Sequence, residues 1–322
     1  MRTKDQPFTE RSSRRDFLRS CAAAVAATAL PAPLLAGGKD AAAALLTRAI
    51  PSTGERLPIV GLGTNAYGVT DPAEIAKRQA VVARLVELGA KVIDTARAYG
   101  DSKLVVGRIL HELRTRDRVF LATKTPIQGD LADPAQIVTE TFRRLGTNTV
   151  DLLQIHNMHG TAELMPTLRK LKEERRIRYI GATTSRDEQY PELLAALRAH
   201  PLDFIQVDYS IDNRNAAAEL LSAAADKGVA VLVNMPFGGR REGNLLRKLG
   251  DRPLPPWAGE VGAGTWAEFL LKYVLSHPAI TCAIPGTTSV ANLETNLRAA
   301  TGALPDTAMR ARMETYWDSL AA

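Results

Sequence analysis

The chain has 322 residues, of which 45% are apolar and 24% charged, so it is long enough to bury one large core or two smaller ones. Half of its net charge of +6 comes from the first twenty residues, which contain six basic and three acidic side chains, and no later basic stretch is interleaved with aromatic residues. This distribution argues against nucleic-acid binding, and the two cysteines, Cys21 and Cys282, argue against a disulfide framework.

The N-terminal segment has the layout of an export signal. Arg14 and Arg15 are followed by Phe17, Leu18 and a further arginine, and then by an alanine-rich apolar run that ends at Ala36. This order resembles the twin-arginine (Tat) signal peptide, which implies the Tat export machinery as a partner and a periplasmic or otherwise exported protein. An amphipathic or disordered tail is the alternative interpretation. We predict a signal peptide over residues 1–36, with Ala36 and residues 40–44 as candidate cleavage sites, a linker over 37–46 and one domain over 47–322.

A hairpin and eight buried strands are predicted after the leader. Residues 48–56, with Ser52-Thr53-Gly54 at their centre, have the pattern of a hairpin that caps the bottom of a barrel. Runs rich in β-branched residues then alternate with amphipathic helical patterns. The strands are predicted over residues 59–62, 91–95, 119–124, 150–156, 177–183, 204–208, 229–233 and 281–285. The helices are predicted over residues 73–88, 102–113, 134–145, 163–175, 190–199, 215–227 and 265–276.

This alternation predicts an α/β fold, a (β/α)8 TIM barrel with an N-terminal hairpin cap. Parallel neighbours need a crossover, and continuously apolar strands are typical of strands that are buried on both faces. A doubly wound open sheet is the alternative. It is disfavoured because Gly61-Leu62-Gly63 lacks the third glycine of the dinucleotide-binding turn and leads into no immediate helix. No later stretch approaches the roughly 20 apolar residues of a membrane span, so no stable membrane anchor is expected.

Four chemically active side chains are predicted to meet at one rim of this barrel. Asp94, Lys124 and His156 end three consecutive predicted strands, and Tyr99 lies in the loop after Asp94. In a TIM barrel the carboxyl ends of the strands carry the active site. A tyrosine is a poor proton donor or acceptor at neutral pH unless a neighbouring cation stabilises its phenolate, and Lys124 is placed to act as that cation. The four residues therefore suit reduction of a carbonyl, in which a proton must reach the oxygen.

A purely structural interpretation of the same residues is open. Asp94 and Lys124 would then form a buried ion pair that fixes strand register, and His156 would be a hydrogen-bonded core histidine. No Cys, His and carboxylate cluster has the spacing of a metal site.

The segments that carry these residues resemble the aldo-keto reductases. The similarity extends from about residue 57 to residue 300 and is carried by residues 92–96, 99–102, 122–125, 151–156, 177–181, 206–209 and 284–287. It implies that the protein reduces an aldehyde, ketone or sugar carbonyl to the alcohol with NADPH, or alternatively NADH. It also implies that Tyr99 is the general acid, that Lys124 and Asp94 tune it, and that His156 orients the carbonyl.

The resemblance further implies a set of cofactor contacts. Gln206 would contact the nicotinamide amide, Thr183 and Thr184 occupy the positions of a usual Ser-Asn pair, and Met235 or Phe237 would cover the ring where the family commonly has an aromatic residue. The helix expected to start near Ser289 would offer backbone N–H groups to a phosphate. The expected cofactor-binding residues are Gly63, Thr64, Asn65, Thr183, Thr184, Gln206, Asn234, Met235, Pro236, Phe237, Pro285, Gly286, Thr287, Asn292 and Asn296.

The substrate pocket and the function are less restricted by the sequence. Tyr67, Met158 and Trp257 are predicted pocket walls, and the short segment after Ala300 suggests an open pocket in a monomer. The modified cofactor positions and the export signal leave two alternatives to a simple reductase. One is a nucleotide-binding sensor or regulatory barrel, and the other is an oxidoreductase that recycles a tightly held cofactor.

Overall fold

An N-terminal hairpin precedes the main sheet in the computed structural model, which describes residues 44–238 and 244–321. Strand β1 (Thr47–Ala49) pairs antiparallel with β2 (Arg56–Pro58). Gly54 in the connecting turn has a φ of +76°, a conformation that favours glycine. The hairpin predicted over residues 48–56 is thus present, whereas the predicted leader and most of the linker lie outside the described residues.

Eight parallel strands follow the hairpin and curl into a barrel. They are β3 (Leu62–Gly63), β4 (Val92–Asp94), β5 (Phe120–Lys124), β6 (Val150–His156), β7 (Ile177–Thr183), β8 (Phe204–Asp208), β9 (Ala230–Asn234) and β10 (Cys282–Ala283). Each strand pairs with its neighbour in sequence. The bridges Val60 to Ala283 and Gly63 to Gly286 join the first and last strands. These bridges close the sheet, and the predicted (β/α)8 barrel is confirmed.

Helices cover the outside of the barrel. They are α1 (Pro72–Glu87), α2 (Ser102–Glu112), α3 (Pro134–Leu145), α4 (Thr161–Glu173), α5 (Tyr190–Ala199), α6 (Leu220–Asp226), α7 (Leu245–Leu249), α8 (Trp266–Leu275), α9 (Val290–Arg298) and α10 (Thr307–Ala321). Their starts follow from local sequence, because Asp71 and Asp133 each accept a hydrogen bond from a backbone N–H of the first turn and each precedes a proline. Among the described residues, no helix is long and apolar enough to span a membrane.

The hairpin seals the lower, N-terminal end of the barrel. Ile50 and Leu57 belong to the apolar cluster inside the barrel, together with a stack of Phe120, Tyr179 and Phe204. The Tyr179 hydroxyl lies 2.8 Å from Thr53 Oγ1 and donates to Glu55 at 2.7 Å, so side chains from the turn region hold the hairpin against β7. Because this end is filled, the structure leaves the C-terminal end of the strands for chemistry.

Two helices and one helix break were not predicted. The helix predicted over residues 215–227 is a short 3-10 turn followed by α6, and α7 lies within the long connection after β9. Helix α10 follows residue 300 and is anchored by Arg310, whose guanidinium lies 4.4 Å from the centre of the Tyr273 ring and donates to Tyr209 Oη at 2.8 Å. Tertiary anchoring of this kind leaves little periodic signal in the sequence.

We expect Arg310→Met to lower the free energy of unfolding by roughly 2–4 kcal/mol, because it removes charge-assisted hydrogen bonds and a cation–π contact. Arg310 also donates to Tyr273 O and Ser276 Oγ, and its side chain is only 13% exposed. The matched control is Arg198→Met, since Arg198 is 65% exposed and its ion pair with Glu219 is expected to contribute about 1 kcal/mol or less. Urea unfolding of both variants measures the difference, and equal losses would contradict this role of Arg310.

Candidate active site

A cavity of about 350 Å³ opens at the C-terminal ends of the barrel strands. It brings together the four residues predicted at the rim, Asp94, Tyr99, Lys124 and His156. Asp94, Lys124 and His156 are the last residues of β4, β5 and β6, and Tyr99 ends a short 3-10 turn after β4. The remaining walls come from Gln206 within β8 and from the ends of β3, β6, β7, β9 and β10 with the segments that follow them.

Asp94 and Lys124 form an ion pair at the base of this cavity. Lys124 Nζ lies 2.5 Å from Asp94 Oδ2, donates also to Thr95 O, and both paired side chains are 2% exposed. Burial alone lowers the pKa of Lys124, but the Asp94 carboxylate and Tyr99 outweigh it, and the pKa lies above its ordinary value. Lys124 is therefore a fixed ammonium group.

Tyr99 packs between this cation and the histidine. Lys124 Nζ lies 5.4 Å from the centre of the Tyr99 ring, and the ring meets His156 edge to face with centroids 6.4 Å apart. The Lys124 charge lowers the pKa of Tyr99, yet burial and the Asp94 carboxylate outweigh it and leave the pKa above its ordinary value. The phenol thus keeps its proton at neutral pH, as a proton donor must.

His156 is neutral in this environment. Burial and the positive charges of Lys124 and Lys103 lower its pKa to about 3. Its backbone N–H donates to Thr125 Oγ1 at 3.2 Å, while the ring atom Nδ1 is buried without a hydrogen-bond partner. A neutral imidazole carries one N–H donor, so His156 has the chemistry to donate to a carbonyl oxygen without adding charge.

Three amide side chains lie beside the ion pair, and two of them, Gln206 and Asn234, line the cavity. Gln154 Nε2 lies 3.5 Å from Asp94 Oδ1 and donates to Gln206 Oε1 at 3.2 Å, and Asn234 Nδ2 donates to Thr184 O at 3.3 Å. These contacts fix which end of each amide faces the cavity. Gln206 Nε2 and Asn234 Oδ1 remain buried without a well-formed hydrogen bond, although Gln206 lies close to the Asp94 carboxylate. Asn234 Oδ1 is thus an acceptor left for a ligand.

Eleven of the residues expected to bind a cofactor line the cavity. These are Gly63, Thr64, Asn65, Thr183, Gln206, Asn234, Met235, Pro236, Phe237, Pro285 and Gly286. Thr184 does not line it, because its hydroxyl turns away and donates to Gln189 Oε1 at 2.6 Å. Thr287, Asn292 and Asn296 do not line the cavity. Thr287 precedes α9, Asn292 lies in its first turn, where its backbone N–H donates to Ser289, and Asn296 is buried in its last turn.

The three residues predicted as substrate-pocket walls lie elsewhere. Tyr67 is fully buried and packs near Arg78, and Met158 is buried in the core behind the rim. Trp257 packs against Phe269 and Tyr316 of the C-terminal helices. The cavity is instead completed by residues that were not among the predicted site residues, namely Asn157, Ser185, Gly238, Asn244 and Ile284.

Sequence reasoning also missed Lys103, which lies directly behind the rim. Its side chain is fully buried, and Nζ donates to Lys124 O at 3.0 Å and to Thr141 Oγ1 at 3.1 Å. The signal was available, because Lys103 precedes the buried residues Val106, Gly107 and Leu110 by three, four and seven positions and therefore lies on their helix face. Groups of His, Cys and carboxylate residues that fit a metal ion are absent from residues 44–238 and 244–321.

Comparison with known proteins gives one consistent family. Residues 59–316 match the sequence profile of the Aldo/keto reductase family. The aldo-keto reductase YhdN of Bacillus subtilis is 31% identical over 219 residues, which cover 62% of this chain and 63% of the relative. This aligned region is less than two thirds of the relative's length.

Solved structures show the same fold. An aldo-keto reductase from Klebsiella pneumoniae in complex with NADPH aligns with a TM-score of 0.68 at 25% identity, over 85% of this chain and 95% of that one. A structure from the same organism in complex with NADP and acetate aligns with a TM-score of 0.67 at 25% identity, over 82% and 93% of the two chains.

Proposed function

The chain belongs to the aldo/keto reductase family, and from that premise we propose that it is an NADPH-dependent oxidoreductase that reduces an aldehyde, ketone or sugar carbonyl to the alcohol. The observation that carries the proposal is the meeting of Asp94, Tyr99, Lys124 and His156 at one cavity. A structural ion pair alone does not account for a half-buried tyrosine and a neutral histidine that both face the same opening. NADH is the alternative cofactor.

The cavity floor fits a nicotinamide. A primary carboxamide has N–H donors, which complement the unpartnered Asn234 Oδ1, and an acceptor that suits the amide N–H groups of Gln206. Gly286 lets the chain pass close to Asn65, since an added Cβ there would lie 2.5 Å from Asn65 Oδ1. Gln206 and Asn234 would hold the carboxamide, and the residues from Pro285 to the start of α9 would hold the phosphates. When bound, the reduced nicotinamide supplies hydride to the carbonyl carbon.

The protein's own residues provide the proton and the orientation. Tyr99 would donate its hydroxyl proton to the carbonyl oxygen, and the fixed Lys124 ammonium would stabilise the phenolate that remains. Asp94 holds that ammonium in place. His156, being neutral, would donate a hydrogen bond that orients the carbonyl. The low accessibility of Asp94, Lys124 and His156 strengthens these interactions, because buried charges are weakly screened.

The decisive experiment is a cofactor and turnover assay on the purified protein. Bound nucleotide is extracted and identified, and NADPH oxidation is followed with glyceraldehyde, 4-nitrobenzaldehyde and xylose. Carbonyl-dependent oxidation is the expected result. Tight nucleotide binding without turnover of any carbonyl would favour the sensor, and failure to bind NADPH or NADH would contradict the proposal.

The role of Asn234 is tested through binding. We expect Asn234→Leu to weaken NADP⁺ affinity roughly tenfold, because a buried acceptor for the carboxamide is lost. Affinity for 2′-phospho-ADP-ribose, which has no nicotinamide, should change little and serves as the matched control. Calorimetric titration measures both, and equal weakening for the two ligands would show that Asn234 does not contact the nicotinamide.

We also propose that the leader directs Tat export to the periplasm, on the strength of Arg14-Arg15 and the apolar run behind them. Replacing both arginines by lysine is expected to keep the protein in the cytoplasm, because the paired guanidinium groups are the distinguishing feature of such signals. Arg11→Lys is the matched control and should be exported normally. Fractionation and immunoblotting measure the distribution, and normal periplasmic recovery of the double variant would contradict Tat export.

A further inference from the structure

Lys103 is a buried amine beneath the cavity that the proposed mechanism does not use. It projects from α2, and its two hydrogen bonds, to Lys124 O and Thr141 Oγ1, join α2 to the end of β5 and to α3. Lys124 is the residue whose ammonium lies in the cavity. Lys103 therefore fixes the main chain from which the catalytic cation projects.

The hydrogen-bond partners of Lys103 match a neutral amine better than a cation. An ammonium group has three N–H donors, whereas a neutral amine has two. The two acceptors of Lys103 Nζ are both uncharged, and among the described residues no carboxylate accepts a hydrogen bond from it. A charged Lys103 would thus leave one buried donor without a partner, which costs free energy.

The charges around Lys103 favour the same form. Three cationic side chains act on it, namely Arg97 from the loop after β4, Lys124 from β5 and Arg144 from α3, and they are opposed by one carboxylate, Glu140 of α3. Burial is the largest influence, and together with these cations it lowers the pKa of Lys103 to about 7. The two protonation states therefore lie close in free energy at neutral pH.

A positive charge on Lys103 acts on the catalytic residues. It is one of the charges that lower the pKa of His156, and it repels the Lys124 ammonium group. We propose that Lys103 is a positioning residue that gains and loses a proton at neutral pH, so that the charge beneath Lys124 and His156 sets the pH dependence of carbonyl reduction. This inference rests on the proposed function. The protonated form adds positive potential, which stabilises the phenolate left on Tyr99 after proton donation. Reduction should therefore be faster below pH 7 than above it.

The test compares kcat between pH 6 and 9 for the wild type and Lys103→Met, with a carbonyl that the wild type turns over. We expect a threefold to tenfold fall of kcat through about pH 7 in the wild type, on the order of the effect of one buried charge at this range. Lys103→Met should lack this step: it should be slower than the wild type at every pH because both hydrogen bonds are lost, and the ratio of the wild-type kcat to its kcat should be threefold to tenfold larger at pH 6 than at pH 9. Lys77→Met, on the exposed face of α1, is the control and should keep the wild-type profile.

A purely structural Lys103 would lower kcat by the same factor at every pH, and that result would overturn the proposal. Retention of the step in Lys103→Met would also overturn it. If the variant does not fold, a ¹³C NMR titration of the lysine ε-methylene groups decides, in the wild type and in Lys272→Met, which removes a second buried lysine whose pKa is lowered. A lysine that titrates near pH 7 in both proteins supports the proposal, whereas its loss in Lys272→Met, or no titration below pH 9, contradicts it. This titration needs no turnover. Its result therefore tests the proposal for Lys103 even if the protein does not reduce a carbonyl.

Discussion

Tyr99→Phe is expected to slow carbonyl reduction by roughly a hundredfold to ten-thousandfold, the usual contribution of a positioned general acid. The change removes one oxygen atom and leaves the ring, so the edge-to-face contact with His156 and the cation–π contact with Lys124 can remain. We expect kcat to fall in proportion to kcat/KM, because the hydroxyl acts at the transition state. Single-turnover NADPH oxidation measures the effect.

Cofactor affinity and thermal stability of the same variant are the controls, and both should remain close to wild type. His156 is the alternative proton donor at this cavity. Its pKa of about 3 makes it a neutral imidazole throughout the physiological range, and a neutral imidazole is a very weak acid. Unchanged turnover in Tyr99→Phe would therefore refute the assignment of Tyr99 and require a different proton source.

Lys124→Met is expected to lower the free energy of unfolding by roughly 3–5 kcal/mol, because it leaves the Asp94 carboxylate buried without its partner. The two side chains are each 2% exposed and 2.5 Å apart, so water can compensate neither of them. Asp94→Asn should lower the free energy of unfolding by a comparable amount, because it leaves the Lys124 ammonium group buried without its partner. Urea unfolding at pH 7 measures both losses.

The double variant Asp94→Asn with Lys124→Met separates stability from catalysis. Removing both charges should restore most of the lost stability, since a buried ion pair can be replaced by neutral groups at little net cost. Activity should stay at the level of Lys124→Met, because the cation that stabilises the Tyr99 phenolate is still missing. Recovery of turnover in the double variant would show that the ion pair serves folding alone.

The sequence predicted the centre of the barrel better than its margins. Strands β6, β7 and β8 have the predicted bounds, because strands buried on both faces are continuous apolar runs with clear ends. The first and last strands are shorter than predicted, since only isolated bridges join them at the seam. Helix α10 was missed because its position depends on Arg310 and Tyr273, which are distant in sequence.

The same distinction applies to the site. Residues at strand ends were placed correctly at one cavity because the fold alone determines where strand ends meet. The path of a loop and the direction of a side chain are set by packing, which explains why Trp257 was assigned to the pocket and Asn157 was not. Gln154 could have been predicted from the sequence, since it precedes His156 by two residues and so lies on the same face of the strand.

The hairpin that closes the lower end of the barrel separates the residues that determine stability from those that face the cavity. The hairpin is held there by the packing of Ile50 and Leu57 inside the barrel and by the hydrogen bonds of the Tyr179 hydroxyl. This end of the strands is opposite the end that carries Tyr99 and His156. The effects of mutations at the two ends on the free energy of unfolding should therefore be nearly additive, since distant sites rarely couple. A library randomised around the hairpin should yield variants that differ in solubility and heat resistance, whereas one randomised at the rim should yield variants that differ in substrate preference.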